Sequence, residues 1–525
     1  MPVRSPYPDV EIPELSLYDY LFGRDFGDRA DAVAFVDGTS GASLTFAQLK
    51  GMVETIAGAL AERGIGAGDV VGLFAPNTPY YAAVFHGVLR ANAIVTSANS
   101  LYTPGELAHQ LADSGARMLI TVSAFLDRAA AAAAEVGLPE EAIISLDPAE
   151  GYASLIDLLG TTTPAPPQTV GPGDTAVLPY SSGTTGRAKG VILTHRNLVA
   201  NLAQFAELNS VSSASTILAV LPFFHIYGMT VMMNNGINKR ATVVTMPRFD
   251  LAEFLRIIAE HRVNYVYIAP PIAVALAKHP IVDNYDLSSV GIIFSGAAPL
   301  DAELGHAVAK RLDTRIRQGY GMTELSPVSH SMREEDDDAD LNSVGVALPN
   351  IVCKLVDPDT GREVGPGERG ELWVKGPNVM AGYLNNPEAT AITLDDDGYL
   401  HTGDVATVTE DGVFTIVDRV KELIKYKGYQ VPPAELEALL LTNDRIADAA
   451  VIGVRDAEGE EVPKAFVVRQ PTAADLTADE VMTFVADRIA PHKKVRVVEF
   501  IDEIPKSGSG KILRKDLRAR ENAPA

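Results

Sequence analysis

A chain of 525 residues exceeds one ordinary hydrophobic core, so at least two domains are expected. Its formal net charge of −24 argues against a broad nucleic-acid or anionic-membrane surface. The single cysteine, Cys353, rules out an intrachain disulfide; within "IVCKLV" it reads as a small buried hydrophobe.

Strands and helices alternate from about residue 45 to 340. "SLTFAQLKGMVETIAGALAERGIGAGD" reads as a strand, an amphipathic helix and a glycine stop, with Leu49, Val53, Ile56, Ala57 and Leu60 at helical spacing. "VVGLFA", "MLITV", "AIISL", "TAVLPY", "ILAVLP", "ATVVTM", "YVYIAP" and "GIIFSG" are runs of buried-strand type. Helical patterns between them predict a layered α/β domain with mostly parallel sheets. "AFLDRAAAAAAEVG" predicts a helix of high propensity. Two long uncharged stretches, "VVGLFAPNTPYYAAVFHGVL" and "STILAVLPFFHIYGMTVMMNNGI", are broken by prolines and polar residues and read as core, not membrane spans.

After residue 340 the texture changes. "CKLVDPDTGREVGPGERGELWVKGP" alternates apolar and polar residues and predicts a small antiparallel β unit. "REEDDDAD" before it reads as a solvated acidic loop. From about residue 420 the pattern is a separate small α+β domain ending in a basic tail. The expected division is therefore 1–420 and 421–525. The N-terminus has no apolar leader and the C-terminus no peroxisomal address, so a cytoplasmic location is expected.

"SSGTTGRAKGV" (residues 181–191) is flanked by apolar runs. Glycines admit close backbone approach, hydroxyls line the turn, and Lys189 adds charge, which together suit phosphate. It is not a P-loop, because Lys189 lies between Ala188 and Gly190 and a strand follows it.

Four segments occur in order: this loop, "QGYGMTE", "GYLHTGD" with "VDRVKELIKYKG", and "PKSGSGKIL". Together they resemble the adenylate-forming (AMP-binding) superfamily of acyl-CoA synthetases, luciferases and adenylation domains. "LPFFHIYG", "SGAAPL" and "DRVKELIKYKGYQVPPAELEALLL" resemble its 4-coumarate:CoA ligase branch, over nearly the whole chain. The resemblance implies a large N-terminal adenylation domain and a small mobile C-terminal one. It implies an ATP-dependent acid:CoA ligase working through an acyl-adenylate, with ATP, Mg²⁺ and coenzyme A. A fatty acyl-CoA synthetase and a carrier-loading ligase stay open as alternatives, as does a luciferase-like monooxygenase. Such chemistry needs alignment and charge neutralisation, not a covalent nucleophile.

The resemblance also distributes roles. Ser181, Ser182, Gly183, Thr184, Thr185, Gly186 and Lys189 would wrap the terminal phosphates. This chain has Ala188 where the family usually has proline. Gly296, Ala297 and Ala298 with Gln318, Gly319 and Tyr320 would form the adenine slot. Thr323 would meet the α-phosphate and Glu324 the Mg²⁺. Asp404 would accept the ribose hydroxyls, with Arg419 beside it. His225 would lie by the reacting carboxylate. Lys511, in "SGSGK", would bridge carboxylate and α-phosphate. Lys425, Lys427, Gly428 and Gln430 would serve the CoA step, Arg248 the CoA nucleotide, and Lys421 the hinge. Tyr227, Val231, Ser295, Gly321, Pro327 and Val328 would wall the acyl pocket, with small residues at 296 and 321 leaving a flat slot.

Overall fold

The computed structural model describes residues 2–181, 188–336, 339–426, 429–456, 461–507 and 510–521. Its helices start where short polar side chains satisfy the first free N–H groups. Thr45 opens the helix Phe46–Glu62: its hydroxyl accepts from Gln48 N–H, and the Gln48 side chain accepts from Thr45 N–H. Thr103 and Thr194 repeat the device at Pro104–Ser114 and His195–Phe205. The face Leu49, Val53, Ile56, Ala57 and Leu60 is wholly buried, as its spacing predicts.

The apolar runs form two sheets. In one, Val70–Phe74, Ile94–Ser97, Ala116–Thr121 and Ile143–Ser145 run parallel, and Thr175–Val177 joins them beside Val95. Lys189–Thr194 then pairs antiparallel with Thr175–Val177 and makes a hairpin with Tyr180–Ser181. Residues 182–187 of the phosphate-loop motif lie outside the described residues, but the hairpin fixes Ser181 opposite Lys189 at its two ends.

In the other sheet Val33–Asp37, Thr242–Thr245, Thr216–Ala219, Tyr265–Ile268, Ile292–Ser295 and Arg315–Gly321 run parallel, side by side. The antiparallel unit expected after residue 340 is present but is not separate. Arg315–Gly321 offers its outer edge to Val328–Ser331, and the pairing continues through Gly345–Ala347, Val413–Arg419, Leu400–Val408, Gly370–Lys375 and Val352–Val356. Among the described residues the result is one sheet of fourteen strands. An unpaired edge at Arg315–Gly321 would expose a row of backbone donors and acceptors, and the antiparallel strands cover it.

The acidic run is exposed at Glu335, Asp336 and Asp340, as expected, but not at its start. Glu334 is buried: it accepts from Ser210 N–H at 2.8 Å and from the Tyr265 hydroxyl. Arg317 donates to the carbonyls of Glu334 and Asp336 at 2.8 and 2.7 Å. The start of the run is thus anchored to the core, and a count of charges could not reveal that. Asp337 and Asp338 lie outside the described residues.

Among the described residues no helix is long and apolar enough to cross a membrane. Tyr227–Asn234 is instead a wholly buried π-helix. Cys353 is buried with its sulfur 3.4 Å from His330 Nε2, and burial pushes its thiol up. The main apolar core runs from Leu17 to Phe414, and separate cores begin at Ile424. The C-terminal part pairs Ile446–Arg455 antiparallel with Glu461–Arg469, which in turn pairs parallel with Val497–Phe500.

Candidate active site

Parallel strands present their carboxyl ends to a common cleft, where ligands of open α/β sheets bind. Here Ile292–Ser295 and Arg315–Gly321 end side by side, with Ser295 opposite Gln318. Gly296, Ala297 and Ala298 follow. Ala297 has φ 71°, a left-handed conformation that costs a residue with a side chain about 1 kcal/mol or more. The Gln318 amide holds this turn in place. It accepts from Leu300 N–H at 3.0 Å and donates to Leu300 O at 3.1 Å and to Leu341 O. Its side chain therefore fixes the slot segment from behind.

The hairpin of Leu400–Val408 and Val413–Arg419 puts Asp404 opposite Arg419. Arg419 Nε lies 3.3 Å from Asp404 Oδ1, and the Tyr320 hydroxyl donates to Oδ2 at 2.5 Å. Tyr320 is held protonated, first by burial and then by the Asp404 charge. The Asp404 carboxylate is thus fixed from both sides.

Glu324 lies in the short turn Thr323–Leu325 and is buried. The Tyr383 hydroxyl donates to its Oε1 at 2.9 Å, and Lys189 Nζ sits 4.0 Å from the centre of the Tyr383 ring. Tyr383 is a site residue that the sequence reading missed. It carries no charge and lies in the unremarkable "AGYLNN", yet its strand pairs with Val191 just beyond Lys189. Among the described residues there is no cluster of three or more metal-ligating side chains. Glu324, a single buried carboxylate oriented by Tyr383, fits Mg²⁺, which commonly rests on one or two carboxylates and on substrate phosphates.

His225 Nδ1 accepts from Tyr227 N–H at 3.3 Å, so the neutral ring carries its proton on Nε2. Burial, then the charge of Lys511, lowers its pKa to about 4, so it is neutral at physiological pH. Lys511 comes from the C-terminal part. Its N–H donates to Ser507 Oγ at 3.1 Å, and its carbonyl accepts from Ser507 N–H at 2.8 Å. Gly510, with φ 83°, packs so closely that a Cβ there would lie 3.3 Å from Ala269 Cβ. The lysine loop thus abuts the large domain. Burial and Arg419 lower Lys511 to about 8, while Asp404 and Glu324 hold it up.

The glycines of the expected acyl wall do not leave an empty slot. A Cβ at 296 would come 2.9 Å from Tyr227 Cε1, and one at 321 would come 2.1 Å from Pro327 O. Gly296 lets the Tyr227 ring lie on the backbone, where its hydroxyl donates to Phe294 O at 3.3 Å. Val231 and Val328 are buried.

The family described as AMP-binding enzyme matches residues 23–384, and the AMP-binding enzyme C-terminal domain matches residues 435–511. The chain belongs to this family. It is 41% identical over 529 residues to 4-coumarate--CoA ligase 3 of Oryza sativa subsp. japonica, covering 98% of this chain and 94% of that one. Its fold is similar to ATP-bound MatB from Rhodopseudomonas palustris, with a TM-score of 0.88 at 28% identity over 97% of this chain and 99% of that one. It is likewise similar to the anthranilate CoA ligase AuaEII in complex with anthranoyl-AMP, with a TM-score of 0.89 at 27% identity over 97% and 98%.

The structure of this AMP-binding enzyme brings Tyr320, Glu324, Asp404, Arg419, Lys511 and His225 together through the contacts and fields above. Other predicted residues are placed less fully. Ser182, Gly183, Thr184, Thr185, Gly186, Lys427 and Gly428 lie outside the described residues. Lys425 and Gln430 face each other on the two-stranded ribbon Ile424–Tyr426 and Tyr429–Val431, with side chains outside the described residues. Arg248 is exposed after Thr242–Thr245, and Lys421 is exposed in the turn after Arg419.

Proposed function

We propose that this AMP-binding enzyme is an AMP-forming acid–CoA ligase whose acid is of the cinnamate or 4-coumarate kind. The observation that carries the reading is the convergence on Lys511. A cation from the C-terminal part stands in the combined field of Asp404, Glu324 and Arg419, beside a neutral His225. That is where a carboxylate and an α-phosphate must be held together.

In the first step the substrate carboxylate attacks the α-phosphorus and pyrophosphate leaves. Ser181, Ser182, Gly183, Thr184, Thr185, Gly186 and Lys189 hold the terminal phosphates. Asp404 receives the ribose hydroxyls, with Arg419 alongside. Thr323 donates to the α-phosphate, and His225 Nε2–H donates toward the carboxylate. Lys511 offsets the charge of both reacting groups as a compact point cation. Mg²⁺, held by Glu324, supplies further charge neutralisation when bound. In the second step the CoA thiol attacks the acyl carbonyl carbon and AMP leaves. Rotation about Lys421, between domains 1–420 and 421–525, brings Lys425, Lys427, Gly428 and Gln430 to the cleft, and Arg248 meets the CoA nucleotide. The setting is cytoplasmic.

The test is AMP release over a panel of cinnamyl, aryl and fatty acids, with and without CoA. Release that requires ATP, an aryl-alkenyl acid and CoA is expected. Absence of thioester product, with loading of a carrier protein instead, would overturn the assignment.

A further inference from the structure

Along the strand Val413–Arg419 successive side chains point to opposite faces. Arg419 turns to Asp404. Its neighbour Asp418 turns the other way and is buried. There Asp418 Oδ2 accepts from Ala434 N–H at 3.0 Å, capping the helix Pro433–Leu441 of the C-terminal part. Its Oδ1 accepts from Arg419 N–H at 2.7 Å. Arg514 also faces Asp418 electrostatically. Arg514 forks onto Glu437 of the same helix, at 2.8 and 2.6 Å, and donates to Val451 O at 3.2 Å.

Arg514 lies three residues beyond Lys511. On the other side of the lysine loop, Lys506 binds Asp448 at 2.5 Å. The loop is therefore stapled at both ends to the strand Ile446–Arg455 and the helix beside it, so the position of that body sets the position of Lys511. Asp418 is a carboxylate of the large sheet that reaches this body, by a hydrogen bond to one helix N-terminus and by its charge toward the half-buried Arg514.

We propose that Asp418 is a positioning residue for adenylation. It acts through Ala434 and Arg514 to seat the C-terminal domain with Lys511 in the cleft, and it is released when that domain turns for the thiol step. This rests on the reading of Lys511 as the adenylation lysine. No substrate contact is assigned to Asp418.

The test separates the half-reactions in the full chain. Pyrophosphate release from acid and ATP without CoA reads the first; thioester formation from supplied acyl-adenylate and CoA reads the second. Asp418→Asn keeps one acceptor oxygen, which can still take the Ala434 N–H, but removes the charge and the second acceptor that takes the Arg419 N–H. Adenylation is expected to fall at least about tenfold, with thioester formation changed by less than about twofold, as for a misplaced reacting group. Equal loss in both steps, or loss in neither, would overturn the proposal. Should this variant melt below the assay temperature, Arg514→Lys reads the same split, and equal effects on both steps again overturn it. Lys511→Ala is run alongside. If it fails to separate the steps, the reading of Lys511 falls; if it separates them and Asp418→Asn does not, only this proposal falls.

Discussion

Tyr383 links a cation to a carboxylate: its hydroxyl lies 2.9 Å from Glu324 Oε1 and its ring centre 4.0 Å from Lys189 Nζ. The hydroxyl orients a carboxylate, and the ring face supports a cation. Tyr383→Phe keeps the ring and deletes the donor. A hydrogen bond to a charged group is worth about 1.5–3 kcal/mol. The Mg²⁺ concentration for half-maximal adenylation should therefore rise roughly tenfold. A Mg²⁺ titration at saturating ATP checks this, and an unchanged midpoint detaches Tyr383 from the site.

Lys511 carries the second prediction. Its amine, lowered to about 8, is charged below that pH and neutral above it. If the charge does the work, kcat/KM for adenylation falls as pH rises through about 8. Lys511→Arg, whose guanidinium keeps its proton, should remove that limb. Lys511→Ala should lower adenylation by about 10²–10³ and leave thioester formation from supplied acyl-adenylate largely intact. His225, neutral above about 4, should contribute no limb near neutral pH. A pH profile of each half-reaction decides the matter.

The elements with strong local signals were legible in the sequence. Apolar runs such as "GIIFSG" and "YVYIAP" became adjacent parallel strands, and the helix after Thr45 buried its predicted face. Glu324, Asp404 and Lys511 could be singled out from motifs, and the fold brings their charges to bear on one another. What could not be read depends on contacts across long sequence separations. Tyr383 meets Glu324 fifty-nine positions away. Glu334 looks solvated in a run of acids, yet it is buried because Tyr265 and Ser210 reach it from other segments. Gly296 suggests empty space, but Tyr227 fills that space. Residue type gives the chemistry available at a position; only the fold gives the partner.

Asp404 already has two partners, Tyr320 and Arg419, so its removal has two effects. Asp404→Ala loses the diol acceptor and leaves the Tyr320 hydroxyl and Arg419 without their shared carboxylate. Each charge-assisted bond is worth roughly 1.5–3 kcal/mol. The KM for ATP should rise far more than that for the acid. Steady-state kinetics with each substrate varied in turn tests this, and a normal KM for ATP would remove Asp404 from the nucleotide site.

Lys421 stands exposed between Arg419, tied to the cleft, and Glu422, which is buried and paired with Arg518. On the proposed function, the backbone change of a domain rotation would be concentrated there. Proline fixes φ, so Lys421→Pro should spare pyrophosphate release and block thioester formation. A normal thioester rate would put the hinge elsewhere.

The acyl wall makes the last prediction. Tyr227 packs its Cε1, Cζ and hydroxyl edge against Gly296 with the hydroxyl committed to Phe294 O, so the ring's apolar surface is what remains for a substrate. A conjugated aryl acid can stack there, a gain of about 0.5–1.5 kcal/mol beyond burial. Val231 on the same buried π-helix brings no hydroxyl, so a ring hydroxyl on the acid finds no partner from it. Cinnamate and 4-coumarate should therefore have similar specificity constants, both above octanoate and palmitate. One methylene in such a pocket is worth only about 1–3 kcal/mol, so close homologues should differ modestly. Gly296→Ala gives a second reading: its Cβ would stand 2.9 Å from Tyr227 Cε1 and push the ring away. Aryl acids should lose most of their rate in that variant, and octanoate should lose less. Specificity constants for the four acids, in both proteins, decide it: a clear preference for palmitate in the unaltered enzyme would move it to the fatty-acid branch.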